Sequence, residues 1–279
     1  MLLRNTWQGL LFVAALTGPF AGAAESLKGK LVVTGSSTVA PLAAEIAKRF
    51  ESQNPGVRID VQSGGSGRGI TDARQGLADV GMVSRALKDD EKDLLAFTIA
   101  RDGICVILNK ANALKLLTDA QVVDVYTGKI KNWQDLGGKN APITVVNKAE
   151  GRSTLELFLG YFRLKGSDIK AHVVIGDNEQ GIKTVAGNPD AIGYVSIGSA
   201  ETAASSGVAV KLLPMAGVEA TISAVRDGKF PLGRPLNLVT KQQPVGLAKA
   251  FIDFARSEKV HDIVKEQSFV PVVGGPVTN

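Results

Sequence analysis

"KLVVTGSSTVAPLAAEIAKRF", residues 30–50, decides the fold. Lys30 to Gly35 is a short, β-branched apolar run and reads as a strand. Val39, Leu42, Ile46 and Phe50 then recur at helical spacing, which predicts an amphipathic helix ending before "NPG", residues 54–56. Gly35, Ser36, Ser37 and Thr38 stand between the two. A strand that passes into a helix through a tight polar turn is the building unit of α/β proteins.

The alternation continues outward from this unit. "VRIDVQSG" (57–64), "DVGMVS" (79–84), "GICVILN" (103–109), "PITVVN" (142–147), "AIGYVSIG" (191–198) and "VAVKLLPM" (208–215) read as strands. Helices are predicted on Ile70, Ala73 and Leu77, and on "TDAQVVDVYTG" (118–128), which opens with a Thr-Asp cap signal. "TLELFLGYF" (154–162) gathers Leu155, Phe158, Leu159 and Phe162 on one side. A long helix is predicted on 245–267, with Leu247, Ala250, Phe251, Phe254 and Val260 facing inward. The reading is α/β, with mainly parallel sheets covered by helices.

Bulk composition narrows the function. A chain of 279 residues can form one large domain or two lobes. Its net charge of +5 is spread along the chain, and only 5% of residues are aromatic, so neither a basic footprint nor a base-stacking platform for nucleic acid is present. Residues 1–23 have the layout of a secretory signal peptide: Arg4, an apolar run from Leu10 to Leu16, then small residues at Ala21–Ala24. That run falls short of the ~20 residues needed to span a bilayer. An exported, soluble mature protein is therefore expected, with no membrane insertion. Cys105 is the only cysteine and lies in an apolar run, so it reads as a small buried hydrophobe. His172 and His261 lack ligand spacing, so neither a metal site nor a catalytic base is expected. No Walker loop and no dinucleotide fingerprint occurs, and no cofactor is expected. Trp133 with Gly137-Gly138 reads as a packed turn, and "KDDEKD" (88–93) as a charged, solvated helix start.

Three turns carry the chemistry: "GSSTV" (35–39), "SGGSGRGITDA" (63–73) and "EGRSTLELF" (150–158). Each opens a helix, where the first backbone N–H groups lack intrahelical partners and the dipole is positive. Ser, Thr and Gly are also ordinary capping and turn residues. Two features go beyond capping: the glycine density of the second turn, and the cations Arg68 and Arg152 where the dipole alone favours acids. Both fit a bound anion.

Five ordered stretches, "GSSTVAPL", "SGGSGRGI", "ADVGMVSRAL", "LTDAQVVDVYTGKIKNWQDLGG" and "AIGYVSIGS", resemble the phosphate-binding proteins of bacterial ABC phosphate transporters over about residues 30–270. The resemblance implies a two-lobed periplasmic binding protein fold (type II) with the ligand cleft between lobes. It implies chain crossings near Val106–Lys110 and Tyr194–Gly198, so that 24–106 and 198–279 form one lobe and 107–197 the other. It places Ser36, Ser37 and Thr38 in the first ligand loop, Ser66 and Gly67 in the second, and Arg152, Ser153 and Thr154 in the third. Lys148 stands where better-known members carry an Arg. Ser84 stands where they carry an Asp that accepts the proton of hydrogen phosphate, and Arg85 follows as a further cation. The implied function is capture of inorganic phosphate in the periplasm, by a non-enzymatic monomer, for delivery to an ABC transporter permease. Sulfate, molybdate, tungstate or a phosphonate remain alternative ligands. An extracellular sensor or adhesin on the same fold is a further alternative.

Overall fold

The computed structural model describes residues 27–272; the segment read as a signal peptide lies outside them. The first unit is as expected: strand β1 (Lys28–Gly35) leads into helix α1 (Ala40–Gln53). Then come β2 (Gly56–Ser63), α2 (Ser66–Gln75), β3 (Val80–Val83) and the long β4 (Leu95–Asn109). The middle of the chain forms α3 (Asp119–Tyr126), β5 (Thr144–Lys148), α4 (Ser153–Phe162), β6 (Val173–Ile175), α5 (Asn178–Gly187) and β7 (Ala191–Ser196). It closes with α6 (Ile197–Ser205), β8 (Val210–Leu212), α7 (Ile222–Arg226), β9 (Gly233–Thr240), α8 (Gly246–Ala255), α9 (His261–Glu266) and β10 (Val270–Pro271).

The strands run in the order β2-β1-β3-β9-β4-β7-β5-β6, with β8 and β10 also paired to β4. Strands β1, β2 and β3 are parallel, whereas β9 is antiparallel to both β3 and β4. β4 belongs to both lobes. From Leu95 to Gly103 it pairs with β9, and from Ile104 to Leu108 it pairs with β7. Two separate cores follow. In the first lobe, Leu42, Ile46 and Phe50 of α1 pack on Leu31 and Val33 and meet Phe251 and Phe254 of α8, with ring centroids 5.8 and 5.2 Å from Phe50. In the second, Tyr126, Phe158 and Tyr194 cluster, the last two stacked at 3.8 Å. Truncating one such ring to Ala typically costs about 3–5 kcal/mol.

Several expectations change. The first crossing falls at Gly103–Ile104, a little before Val106, where β4 exchanges partners. The return does not come near Tyr194–Gly198. Ile197, Ala200, Val210, Leu213, Val225 and Leu232 all pack in the second core, and β8 pairs with β4 at Ile107–Asn109. The chain re-enters the first lobe only with β9 at Gly233. Leu77 lies beyond the end of α2 and is exposed. The long C-terminal helix is broken: α8 ends at Ala255, a 3₁₀ turn covers Glu258–Val260, and α9 follows. Ser257 Oγ donates to Phe254 O, and Arg49 donates to Lys259 O, so side chains take carbonyls at the break. "KDDEKD" forms only a 3₁₀ turn, and its Glu91 is buried instead of solvated. Trp133 and Cys105 are both fully buried, as their contexts suggested. The Trp133 Nε1–H donates to Asp190 O, and burial pushes the Cys105 thiol well above its ordinary range, which leaves it inert.

Candidate functional site

The three polar turns converge. Helices α1 and α2 start at the C-terminal ends of parallel β1 and β2, and α4 starts five residues after β5. Ligands of open α/β sheets bind at this edge. Thr38, Ser66, Ser84, Lys148, Ser153 and Thr154 are all buried here, and Ser36 and Ser37 lie just before α1.

The group that joins them is Arg234, at the start of β9, which the sequence reading missed. Its side chain is 1% exposed and its partner Asp102, on β4, 0%. Arg234 Nε and Nη2 donate to Asp102 Oδ2 at 3.0 and 2.8 Å, and Gly198 N donates to Asp102 Oδ1. The guanidinium then reaches three hydroxyls. Nη2 donates to Thr38 Oγ1 at 3.2 Å, and Nη1 donates to Thr154 Oγ1 at 3.0 Å and to Ser84 Oγ at 3.4 Å. A hydroxyl that accepts from Arg234 still has its own O–H to donate. The arginine therefore orients hydroxyls from both lobes as donors.

Asn178, at the first position of α5, does similar work. Its Nδ2 donates to Thr38 Oγ1 at 3.1 Å, and its Oδ1 accepts from Lys148 Nζ at 3.0 Å. Lys148 is further fixed through its backbone N–H, which donates to Tyr194 Oη. Burial pulls the Lys148 ammonium down to about 7, with Arg234 and Arg152 adding to the effect and Asp177 opposing it. Within the site, the buried donor atoms Ser153 Oγ and Arg152 Nε have no hydrogen-bond partner among the described residues. Buried polar atoms rarely stand unsatisfied unless a ligand or water meets them.

The remaining assigned residues divide. Ser36 Oγ accepts from Thr38 N and Val39 N, so it shapes the turn. Ser66 Oγ accepts from Ser84 N. Gly67 N donates across the cleft to Gly151 O at 3.1 Å. Ser37 and Asn178 border an adjoining groove of about 420 Å³, together with Ala40, Pro41, Asp177 and Ser199. Arg85 stands apart from the cluster. Its Nη1 and Nη2 donate to Glu91 at 2.6 and 2.8 Å and its Nε to Glu156 at 2.7 Å. Burial opposes ionisation of Glu91, but the Arg85 fork and the Lys88 N–H hold its carboxyl below the usual range. Arg68 likewise turns to Asp72 at 3.0 Å.

The glycines of "SGGSGRG" have a structural role beside any anion. A Cβ on Gly69 would come within 2.6 Å of Met82 O, so its absence lets α2 sit directly on β3. A Cβ on Gly65 would come within 2.7 Å of Gly151 O in the other lobe.

Among known proteins, the PBP superfamily domain model matches residues 21–259. Phosphate-binding protein PstS of Bacillus subtilis is 31% identical over 259 residues, covering 91% of this chain and 84% of its own. A phosphate-bound crystal structure from Clostridium perfringens, assigned as a phosphate ABC transporter substrate-binding protein, superposes with a TM-score of 0.80 at 34% identity, covering 88% of this chain and 100% of its own. The ABC-type phosphate transport receptor of Vibrio cholerae gives 0.72 at 28% identity, with the same coverage. Fold, converging helix ends and relatives agree: the chain belongs to the PBP superfamily and, within it, to the PstS family of phosphate-binding proteins.

Proposed function

We propose that the protein captures inorganic phosphate in the cleft between its lobes and hands it to an ABC transporter permease, as an exported monomer without catalytic activity. The observation that carries this reading is the set of buried donors from both lobes: Thr38 and Thr154 held by Arg234, and Ser153 Oγ with no partner among the described residues. Lys148 and the first N–H groups of α4 add positive potential beside them. The proposed ligand set is Ser37, Thr38, Ser66, Ser84, Lys148, Arg152, Ser153, Thr154 and Arg234, with Ser36 and Gly67 shaping the loops. Arg85, engaged by Glu91 and Glu156, is left out of the ligand set. The relatives named above are phosphate-binding proteins or ABC-type transport receptors, which favours capture and delivery over turnover.

One feature favours a broader anion specificity. Both oxygens of Asp102 are taken by Arg234 and Gly198, and Glu150 is exposed. Ser84 is a hydroxyl that can donate as well as accept. Neither Asp102 nor Glu150 is therefore placed to demand a protonated ligand and repel a fully ionised one, and Ser84 imposes no such demand. Titration of ligand-stripped protein with phosphate, arsenate, sulfate, molybdate, tungstate and phosphonates tests both readings. Phosphate at about 100 times its dissociation constant should stabilise the fold by roughly 2.7 kcal/mol. Sulfate should compete measurably. Absence of any phosphate effect rules out the main reading and favours a sensor or adhesin with the same fold.

A further inference from the structure

Arg85 is held in a way that no ligand contact explains. It follows β3 in the first lobe, and its two terminal nitrogens form a fork on Glu91, in the same lobe. Nη1 also donates to Ala86 O, and Lys88 N donates to Glu91 Oε2. This arrangement is complete within the first lobe. The one nitrogen left over, Nε, donates to Glu156 Oε2 at 2.7 Å. Glu156 lies on α4, in the second lobe, one turn from Ser153 and Thr154. Lys88 Nζ, again from the first lobe, meets the same carboxylate oxygen at 3.0 Å.

We propose that Glu156 is a positioning residue that latches the closed lobes, gripping Arg85 and Lys88 across the cleft and thereby setting how long a bound anion stays. Three physical points lead there. Arg85 is 5% exposed and Glu156 28%, so their contact is partly shielded from solvent and worth more than a fully exposed surface pair. When the lobes part, Arg85 keeps Glu91, and the first lobe loses no folded structure. Glu156 loses both cations at once, and its charge then lies in the first turn of the helix that faces the anion, where it offsets the positive helix end. Closure neutralises that charge just as the anion is enclosed. Tighter closure and tighter anion binding are thus one linked equilibrium.

The latch rests on the phosphate reading only for its probe, and two measurements separate them. Stopped-flow release of phosphate is compared for wild type, Glu156→Gln and Lys88→Met, the last removing only the exposed half. Release should speed up about tenfold in Glu156→Gln and about twofold in Lys88→Met, with association rates little changed. Fluorescent labels placed across the cleft report the closed fraction without any ligand, and that fraction should fall in the same order. Ligand-free Glu156→Gln should unfold only slightly below the wild-type midpoint, because Arg85 retains Glu91 and only the contacts of Glu156 itself are lost. Wild-type release rates and closed fractions in both variants, or slower release in Glu156→Gln, would overturn the latch. If wild type binds no phosphate, the functional reading fails, while the label measurement still decides the latch.

Discussion

Lys148 is the residue whose chemistry is most altered by its surroundings. Its ordinary pKa of 10.5 falls to about 7 because it is buried beside Arg234 and Arg152. Between those values the unfolded chain holds a proton that the ligand-free folded protein has shed. Stability contributed by this group therefore rises with pH from about 7 to about 10.5, and below about 7 the cost of burying the charge is fully present. Wild type should accordingly gain thermal stability relative to Lys148→Met as pH is raised through that window. A bound anion reverses the balance, since an opposite charge nearby favours the ammonium. Phosphate binding at pH 8 should take up more protons in wild type than in Lys148→Met, read as the dependence of calorimetric heat on buffer ionisation enthalpy. Equal uptake in the two proteins would mean that Lys148 keeps the same protonation state with and without ligand.

At the scale of elements, α2 shows how one glycine-rich turn serves two purposes. Gly69 lets the helix rest on the β3 backbone, with a Cβ position only 2.6 Å from Met82 O. Backbone cannot swing aside as a side chain can, so Gly69→Ala forces the helix off the sheet. Overpacking of this kind costs about 1–3 kcal/mol, measurable by denaturant unfolding. Gly65 precedes α2 with φ +97°, and its Cβ position lies 2.7 Å from Gly151 O across the cleft. Gly65→Ala carries a local strain of about 1–2 kcal/mol in any state, but its clash arises only when the lobes are shut. It should weaken phosphate binding by more than its loss of stability explains, whereas Gly69→Ala should chiefly lower stability. If Gly65→Ala binds phosphate as wild type does, Gly151 does not approach so closely in the bound form.

For the whole molecule, the decisive feature is that contacts cross between lobes at many points while the cores stay separate. Gly67 meets Gly151, Thr38 meets Asn178, Arg234 meets Thr154, and Arg85 meets Glu156. These contacts around the site are polar, so they can be made and broken as units, while apolar contact between the lobes includes Val270 of β10, which packs in the second core. β4 passes between the lobes at Gly103–Ile104 and the chain returns at Gly233, which gives paired strands at the hinge. Domain closure of this kind is the expected response to ligand. Phosphate should reduce the radius of gyration and maximum dimension measured by solution scattering. An unchanged profile at saturating phosphate would contradict a cleft shared by moving lobes.

Much of this was written in local patterns. Apolar spacing marked α1 and α4, a Thr-Asp cap marked α3, and the hydroxyl and glycine turns before α1, α2 and α4 marked the cleft, because capping and anion binding use the same unpaired N–H groups. β9 was not legible. Its Pro235 argues against a central strand, yet Pro235 lies opposite Arg101 in the ladder. With β9 went Arg234, since "GRP" reads as a turn when the neighbouring strands are unknown. Asp102 carried a faint signal as a lone acid between two apolar runs, "LAFTIAR" and "GICVILN", but its partner lies 132 residues away. Asn178 drew no reading at all, and Arg85 reads as a ligand only through the resemblance of the stretch that ends in Ser84 and Arg85. Only the tertiary structure could reassign these residues, because each role depends on a partner brought near by folding: Asp102 for Arg234, Thr38 for Asn178, Glu156 for Arg85. The sequence determined which strand and helix ends could hold an anion; the packing of two lobes decided which side chains face it and which hold the lobes together.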